Sequence, residues 1–227
     1  MSTFINSFRF YGGDANTFIG GVSGVINTPA LLAAKLSNYP SGIALDVSKI
    51  FGFTIVGSDI ECYIGVDYQI KFNAFSGGAG VIQALTYYSD VGKFCKKIFN
   101  SAFNNQTTLT YVNLEALTSL PAQPFRLSGL TLAYFPEVLT LSSGATTSNF
   151  HFFGCASINS IYLPKCTVYG TNSSNVSQPT VDNQCFTNIK LNCAITVPTA
   201  MQTINAGGLE ADLAYAQNIR SAVITYV

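Results

Sequence analysis

Hydrophobic and polar positions recur at fixed offsets in the second half of the chain. Counting from Phe103, apolar residues follow at plus six, plus nine and plus eleven, and the same offsets recur after Phe152. Phe186 repeats the last two offsets, and the series after Phe125 runs one residue early. A weaker copy starts at Phe75, with its apolar positions one residue late. Recurrence of this kind predicts a stack of similar units.

The spacing of the copies predicts a solenoid of short strands. The last inward apolar residue of each copy serves as its anchor, and the anchors are Tyr87, Leu114, Phe135, Leu163 and Val197. They are 27, 21, 28 and 34 residues apart, which is close to a leucine-rich-repeat period with loop insertions. Side chains at plus nine and plus eleven are expected in a shared core, and those at plus eight and plus ten outside it. One unit cannot bury its apolar face alone, whereas stacked neighbours can. Accidental alternation in a β-sandwich is the alternative.

The flanks of the repeats differ from them. Residues 1–50 form an N-terminal extension with a helix near 29–36, where Thr28 is the N-cap and Pro29 the first helical residue. This extension either attaches the protein to a larger particle or caps the solenoid. Strands over 53–56, 60–64 and 68–72 are predicted as a β-rich lead-in, so that lead-in and solenoid together cover 51–206.

The polar stretch 170–184 is predicted to be a loop inserted between the last two copies. After Gly207 and Gly208, a helix over about 209–219 and a strand over 222–227 are expected. We interpret 207–227 as a C-terminal helix-strand cap on the last repeat.

One copy carries a recognisable motif. Residues 152–164 have Phe152, Cys155, Ile158, Ile161 and Leu163 followed by proline. This segment resembles the BspA-like class of leucine-rich repeats, whose copies read Ala-Phe-x-x-Cys-x-x-Leu-x-x-Ile-x-Leu-Pro. The copy from residue 102 matches except for Gln106 at the cysteine position and Glu115 at the proline.

The resemblance covers about residues 70–198 and implies a mainly β leucine-rich-repeat solenoid with short helices. That class occurs in bacterial surface adhesins, in protist surface proteins and in proteins of bacteriophages that infect Bacteroidetes-type hosts. A short repeat array with a long N-terminal extension and few charges is most similar to the phage members, which are virion or tail-associated proteins.

Composition narrows the classes of partner. Charged residues are 10% of the 227, and eleven basic residues balance eleven acidic ones, so no nucleic-acid partner is expected. The apolar stretch 43–56 is interrupted by Asp46 and Lys49, so no membrane insertion is expected. The N-terminus lacks the pattern of a secretory signal peptide, which predicts folding in a cytoplasm. A surface of uncharged polar residues suits protein contacts, so we expect a homo-oligomer.

The residue types needed for catalysis or metal binding are sparse. Six cysteines are dispersed with no Cys-x-x-Cys, and His151 is the single histidine. The sequence has no phosphate-binding lysine motif and no nucleophile elbow around a serine. Two carboxylate pairs, Asp59 with Glu61 and Glu210 with Asp212, are close in sequence only. We therefore predict no catalytic residue, no cofactor and no metal site.

The outward positions of the predicted strands form the candidate ligand-binding site. These residues are Tyr111, Asn113, Glu115, Tyr134, Ser160 and Tyr162. Tyrosine has a rigid apolar ring with a polar tip, so such a row is suited to hold a glycan or a protein loop. The same rings are equally suited to pack on a neighbouring subunit or to shield the sheet.

The resemblance, together with the low charge and the lack of a signal-peptide pattern, implies a non-enzymatic phage structural protein, associated with the virion or tail, that recognises the host surface. The expected partners are other virion proteins, further copies of the chain, and a host surface glycan or protein. The expected location is the virion, assembled in the host cytoplasm. A bacterial cell-surface adhesin and a glycan-degrading tailspike on a parallel β-helix are the alternatives.

Overall fold

The structure, a computed structural model, describes residues 26, 28–56, 59–77, 85–141, 150–169, 185–202 and 211–227. The predicted turns within residues 1–25 and the predicted loop at 170–184 lie outside the described residues. The solenoid expected from the repeats is confirmed, because the described chain winds into a mainly β stack of about five turns.

One sheet runs the length of the stack. In spatial order its strands are β2 (Ile50–Val56), β3 (Asp59–Ile64), β5 (Tyr87–Asp90), β7 (Tyr111–Asn113), β9 (Leu132–Tyr134), β11 (Ser160–Tyr162), β13 (Ala194–Val197) and β14 (Val223–Tyr226). Strands β2 and β3 form an antiparallel hairpin, and every later pair in this sheet is parallel. We call this the main sheet.

Shorter strands lie between those of the main sheet along the chain. One group joins β1 (Leu36–Asn38), β4 (Tyr68–Ile70) and β6 (Cys95–Ile98), and another joins β8 (Ser119–Leu120), β10 (Thr140–Leu141) and β12 (Val168–Tyr169). Strands β2, β3 and β4 confirm the strands predicted near 53–56, 60–64 and 68–72. The sheet topology places β3 and β4, which are neighbours in sequence, in different sheets.

The inward side chains of the main sheet line up in two columns. One column is Ile60, Tyr88, Val112, Ala133, Ile161 and Ile195, aligned by strand register and each buried. The other column includes Leu114, Phe135, Leu163 and Val197, which are also buried. The inward positions predicted for the copies starting at Phe103, Phe125, Phe152 and Phe186 are therefore confirmed.

The phenylalanine that starts each copy stacks on its counterparts. Consecutive ring centroids are 5.2, 5.6, 6.1 and 6.1 Å apart in the series Phe75, Phe103, Phe125, Phe152 and Phe186, with interplanar angles between 1° and 17°. Offset stacking at such distances is favourable beyond the burial of area. These rings form a buried ladder, which explains why the repeats are most visible when counted from phenylalanine.

The predicted register of the first copy is wrong. Tyr87 was expected in the core, but it faces outward opposite Tyr111, and Tyr88 pairs with Val112 in the core column. The chain takes four residues more to reach Tyr88 from Phe75 than to reach Val112 from Phe103. Because side chains alternate between the faces of a strand, an odd error in register exchanges inside and outside. Asp90 thus takes the column position held in the next coil by Leu114.

The turns beside the phenylalanine ladder share a backbone signature. Two residues after the ladder phenylalanine, φ is positive at Asn105, Leu127, Gly154 and Asn188. At Gly154, where φ is 72°, an added Cβ would also lie 2.5 Å from Leu127 Cδ2. The left-handed residue thus lies at the same place in the turn of each of these coils, and glycine or asparagine adopts this backbone at least cost.

The cysteine position of the repeat has a hydrogen-bonding role. Cys155 Sγ donates to the Phe125 carbonyl at 3.1 Å, a bond that joins one coil to the preceding one. Gln106, three residues after Phe103 as Cys155 is after Phe152, donates from Nε2 to the Phe75 carbonyl at 2.8 Å. Its Oε1 also accepts from the Leu85 amide at 3.2 Å. The departure from the motif at Gln106 therefore preserves the contact between coils.

The helices flank the stack as predicted, with small differences in their ends. Helix α1 is Pro29–Ala34, and Thr28 Oγ1 accepts from the Leu31 amide at 3.2 Å. Helix α2 is Ala211–Arg220, and its Leu213 and Ala216 are buried. The closing strand is β14, which continues the main sheet in parallel with β13. Neither described helix is long and apolar enough to span a membrane.

Candidate functional site

The outer face of the main sheet presents two rows of side chains. The first row is Asp59, Tyr87, Tyr111, Leu132, Ser160, Ala194 and Val223. The second row is Glu61, Ser89, Asn113, Tyr134, Tyr162, Thr196 and Thr225. Five of the six predicted site residues fall in these rows, and Glu115 lies just beyond β7. The register brings Tyr134 directly beside Tyr162 and places Asn113 next to Tyr134.

Two pairs of stacked tyrosines dominate this face. The ring centroids of Tyr134 and Tyr162 are 5.0 Å apart with an interplanar angle of 11°. Tyr87 and Tyr111 stack at 5.5 Å and 23° in the neighbouring row. In each pair, one face of each ring is covered by the other ring, and parallel strands hold the rings in place. The accessible groups are therefore ring edges, outer ring faces and hydroxyls, arranged before any partner arrives.

The electrostatics of the tyrosine face are those of neutral hydrogen-bonding groups. Partial burial raises the pKa of Tyr111, and the nearby Tyr87 and Glu115 add to the effect. The Tyr111 hydroxyl is therefore protonated at neutral pH and is available as a donor. Asn113 Nδ2 donates to Ser89 Oγ at 3.2 Å, which holds the amide against the sheet.

One ion pair lies beside these rings. Lys93 Nζ donates to Glu115 Oε2 at 2.6 Å, and this bond raises the pKa of Lys93. Lys93 is in the turn between β5 and β6, one coil before Glu115. The pair neutralises the carboxylate that was predicted as a ligand-binding group.

Ser160 is half-buried between Leu132 and Ala194 and adds a small polar group to the first row.

A second aromatic group lies toward the start of the main sheet. Tyr63, which faces outward on β3, has its ring centroid 6.1 Å from that of Phe51 and 6.3 Å from that of Phe94. Glycine makes room for these rings, because a Cβ at Gly65 would lie 1.9 Å from Phe51 Cε2. At Gly92 a Cβ would lie 2.7 Å from Phe94 Cδ2. The aromatic character of the outer face thus begins before the repeats recognised in the sequence.

Sequence reasoning missed Tyr87 and Lys93 as members of this face. Tyr87 was missed because the first copy was aligned in the wrong register. Aligning residues 87–89 with residues 111–113, which both begin with tyrosine and end with a small polar residue, would have placed Tyr87 correctly. Lys93 lies in a turn, where no strand periodicity applies, so its approach to Glu115 had no signal in the sequence.

The carboxylate pairs considered for catalysis differ in their placement: Asp59 and Glu61 both face outward on β3, Asp212 is buried, and Glu210 lies outside the described residues. Within the described residues, His, Cys, Asp and Glu form no group of three suited to a metal ion. The six cysteines and His151 are all buried. Asp59 accepts a hydrogen bond from the Thr86 hydroxyl, so this carboxylate is held by its own neighbour. The outer face therefore offers apolar contact and hydrogen bonding, and it is suited to binding.

Comparison of the chain with protein-family models, with curated proteins and with solved structures finds no match.

Proposed function

We propose that this chain is a non-enzymatic binding and structural protein, a component of a phage virion or tail that recognises the host surface. Its solenoid is proposed to be of the BspA-like leucine-rich-repeat class. The observation that carries the proposal is the outer face of the main sheet, where two preformed tyrosine pairs lie on neighbouring strands. Rigid aromatic side chains bind a partner at low entropic cost.

The shape of this face supports a role in recognition. Tyr134 and Tyr162 are held by parallel strands, so a partner need not order them. The strand register places Thr196, a smaller residue, on the other side of Tyr162 from Tyr134. We propose that a sugar ring or the edge of a protein loop packs against that side of the ring. Further virion proteins or copies of the chain are the other proposed partners.

Loss of the tyrosine pair should remove binding and leave the fold intact. We expect the double change Tyr134→Ala with Tyr162→Ala to weaken binding about tenfold or more, because buried aromatic anchors dominate interface energies. The measurement is titration of labelled protein onto whole cells of bacteria from the source culture and onto surface glycan extracted from them. Thermal unfolding of the same variant reports on its fold.

The matched control keeps both rings and removes only their hydroxyls. If Tyr134→Phe with Tyr162→Phe binds like the unchanged protein, ring contact carries recognition, and if it binds weakly, hydroxyl hydrogen bonds do. Unaltered binding by a folded alanine variant would reject this face as the site. Release of reducing ends from the glycan would instead favour the tailspike alternative.

The location of the protein separates the two non-enzymatic alternatives. Mass spectrometry and immunogold labelling of purified phage particles should find the chain at fixed stoichiometry on the tail or at a vertex. Detection on bacterial cells alone would contradict the virion role and favour a cell-surface adhesin.

A further inference from the structure

A buried polar cluster lies in the solenoid core where the first coil, β5 with β6, packs on the preceding β3 and β4. Its members are Cys62 on β3, Tyr68 on β4, Tyr88 and Asp90 on β5, and Cys95 on β6. Cys62 Sγ donates to the Tyr88 hydroxyl at 3.5 Å, and the hydroxyls of Tyr68 and Tyr88 are 3.3 Å apart. Four strands from two sheets thus meet at side chains that carry polar atoms.

Asp90 is the member of this cluster with an unusual environment. Asp90 is only 1% exposed, and it occupies the column position that Leu114 holds in the next coil. Oδ2 accepts from the Cys95 amide at 2.6 Å, which fastens the turn between β5 and β6. Oδ1 is buried without a hydrogen-bond partner. An ionised carboxylate with one unsatisfied oxygen in a core is costly, whereas the neutral acid has a proton to donate.

We propose that Asp90 makes the first coil pH-responsive, so that the neutral acid holds β5, β6 and their turn together and the ionised carboxylate loosens them. The neutral acid brings no charge into this buried column. The carboxylate contributes only acceptors and leaves a charge in an apolar column. This inference is independent of the proposed binding function.

Asp90 is the member of the cluster that titrates in the mildly acidic range, because the other members stay protonated there. Burial raises the pKa of Cys62 to about 12, and it raises those of Tyr68, Tyr88 and Cys95 well above their usual values. These four groups are therefore neutral at pH 4 to 8. The charged residues nearby are Lys96 on β6, which favours the carboxylate, and Glu61 on β3, which acts on Cys62.

The direction of the effect follows from proton linkage. Burial raises the pKa of Asp90 from its ordinary 3.8 to about 6, against the opposing effects of the Cys95 and Phe94 backbone, the charge of Lys96 and the Tyr68 hydroxyl. The folded protein then binds a proton more readily than the unfolded chain. Stability from Asp90 is full below about pH 4, falls as the pH rises to about 6 and is constant above it. The unfolding equilibrium constant should increase on the order of 100-fold across this window.

The turn that Asp90 fastens connects the cluster to the outer face. Residues 91–94 follow Asp90 directly and include Lys93, the partner of Glu115. The Phe94 carbonyl accepts from the Tyr68 amide at 3.0 Å, so the turn is also held by β4. Loosening at Asp90 is therefore expected first in the amides of this turn.

Urea unfolding of the full chain between pH 3.5 and 8 tests the proposal against the variant Asp90→Asn. Asparagine has nearly the same shape and does not titrate, so the 100-fold change should be absent from the variant. Glu137→Gln is the matched control, because it removes an exposed carboxylate and should keep the wild-type pH dependence. Equal pH dependence of the wild type and Asp90→Asn would overturn the proposal.

Two measurements on the wild-type protein keep the test decisive if Asp90→Asn does not fold. The carboxyl ¹³C resonance of Asp90 should titrate near pH 6, and titration at or below pH 4 would overturn the proposal. Exchange protection of the Cys95 amide, corrected for its intrinsic rate, should fall as the pH rises from 4 to 7. The Val112 amide in the next coil is the internal reference, and parallel behaviour of the two amides would contradict a local device.

Discussion

The first coil and the later coils occupy equivalent positions with opposite chemistry. In the later coils the second core column is Leu114, Phe135 and Leu163, three apolar side chains with 0% or 1% exposure. At the start of the stack the same column is Asp90 in the first coil and Cys62 on the preceding strand β3, which are just as inaccessible. Strand register and backbone pairing continue unchanged across the boundary. The backbone ladder therefore carries the stack, and side-chain chemistry sets how strongly each coil is held.

The comparison is tested most strongly by truncating the column in a later coil. Leu163→Ala should lower the free energy of unfolding by about 2–5 kcal/mol, because it removes buried methyl groups and leaves a cavity between well-packed neighbours. Cys62→Ala, at the same column position on β3 before the first coil, should cost only about 1 kcal/mol, since it removes one sulfur atom. Chemical denaturation of both variants is the measurement, and equal losses would contradict the difference between the coils.

The contact between coils at the cysteine position gives an expected effect of comparable size. Gln106→Leu would leave the Phe75 carbonyl and the Leu85 amide without the bonds that Gln106 provides. Each buried group left unsatisfied costs about 1–3 kcal/mol. In the later coil, Cys155→Ser retains a donor for the Phe125 carbonyl and should change stability little. A neutral Gln106→Leu variant would show that this contact contributes nothing to the stack.

The smallest effect is expected on the surface of a later coil. Lys165 Nζ donates to both carboxylate oxygens of Glu137 at 2.8 and 2.7 Å, and both side chains are about half exposed. Because solvent screens such a pair, Glu137→Gln should change the free energy of unfolding by less than about 1 kcal/mol. Thermal melting at low and high salt measures this, and a large loss would mean that surface charge matters more here than core chemistry.

Much of the candidate face followed from sequence because strand periodicity decides which side chains share a side. The pattern from Phe103 onward placed Tyr111, Asn113, Tyr134, Ser160 and Tyr162 on one side of a sheet, as the structure has them. It could not show that the tyrosines stack in two pairs. Ring geometry depends on the spacing and twist of adjacent strands, and on side-chain torsions that periodicity does not contain.

The first coil was the least predictable region because its sequence departs from the repeat. A polar residue, Asp90, stands where the pattern calls for an apolar one, and the connection from Phe75 to β5 is longer than in other copies. Because of both features, Tyr87 was predicted as the core residue in place of Tyr88. The hairpin of β2 and β3 was recognised as strands, but its union with the repeats depended on pairing between distant segments.

By itself, the sequence determined the stacked repeats, the phenylalanine that begins each unit, and the side of the sheet on which the tyrosines of the later coils lie. These follow from residue type and spacing, which act locally along the chain. Only the tertiary structure decided that β3 joins the main sheet, that Gln106 takes over the contact made by cysteine, and that Asp90 is buried with one oxygen unsatisfied. Those outcomes depend on which distant strands become neighbours, because burial and hydrogen bonding are properties of the packed chain.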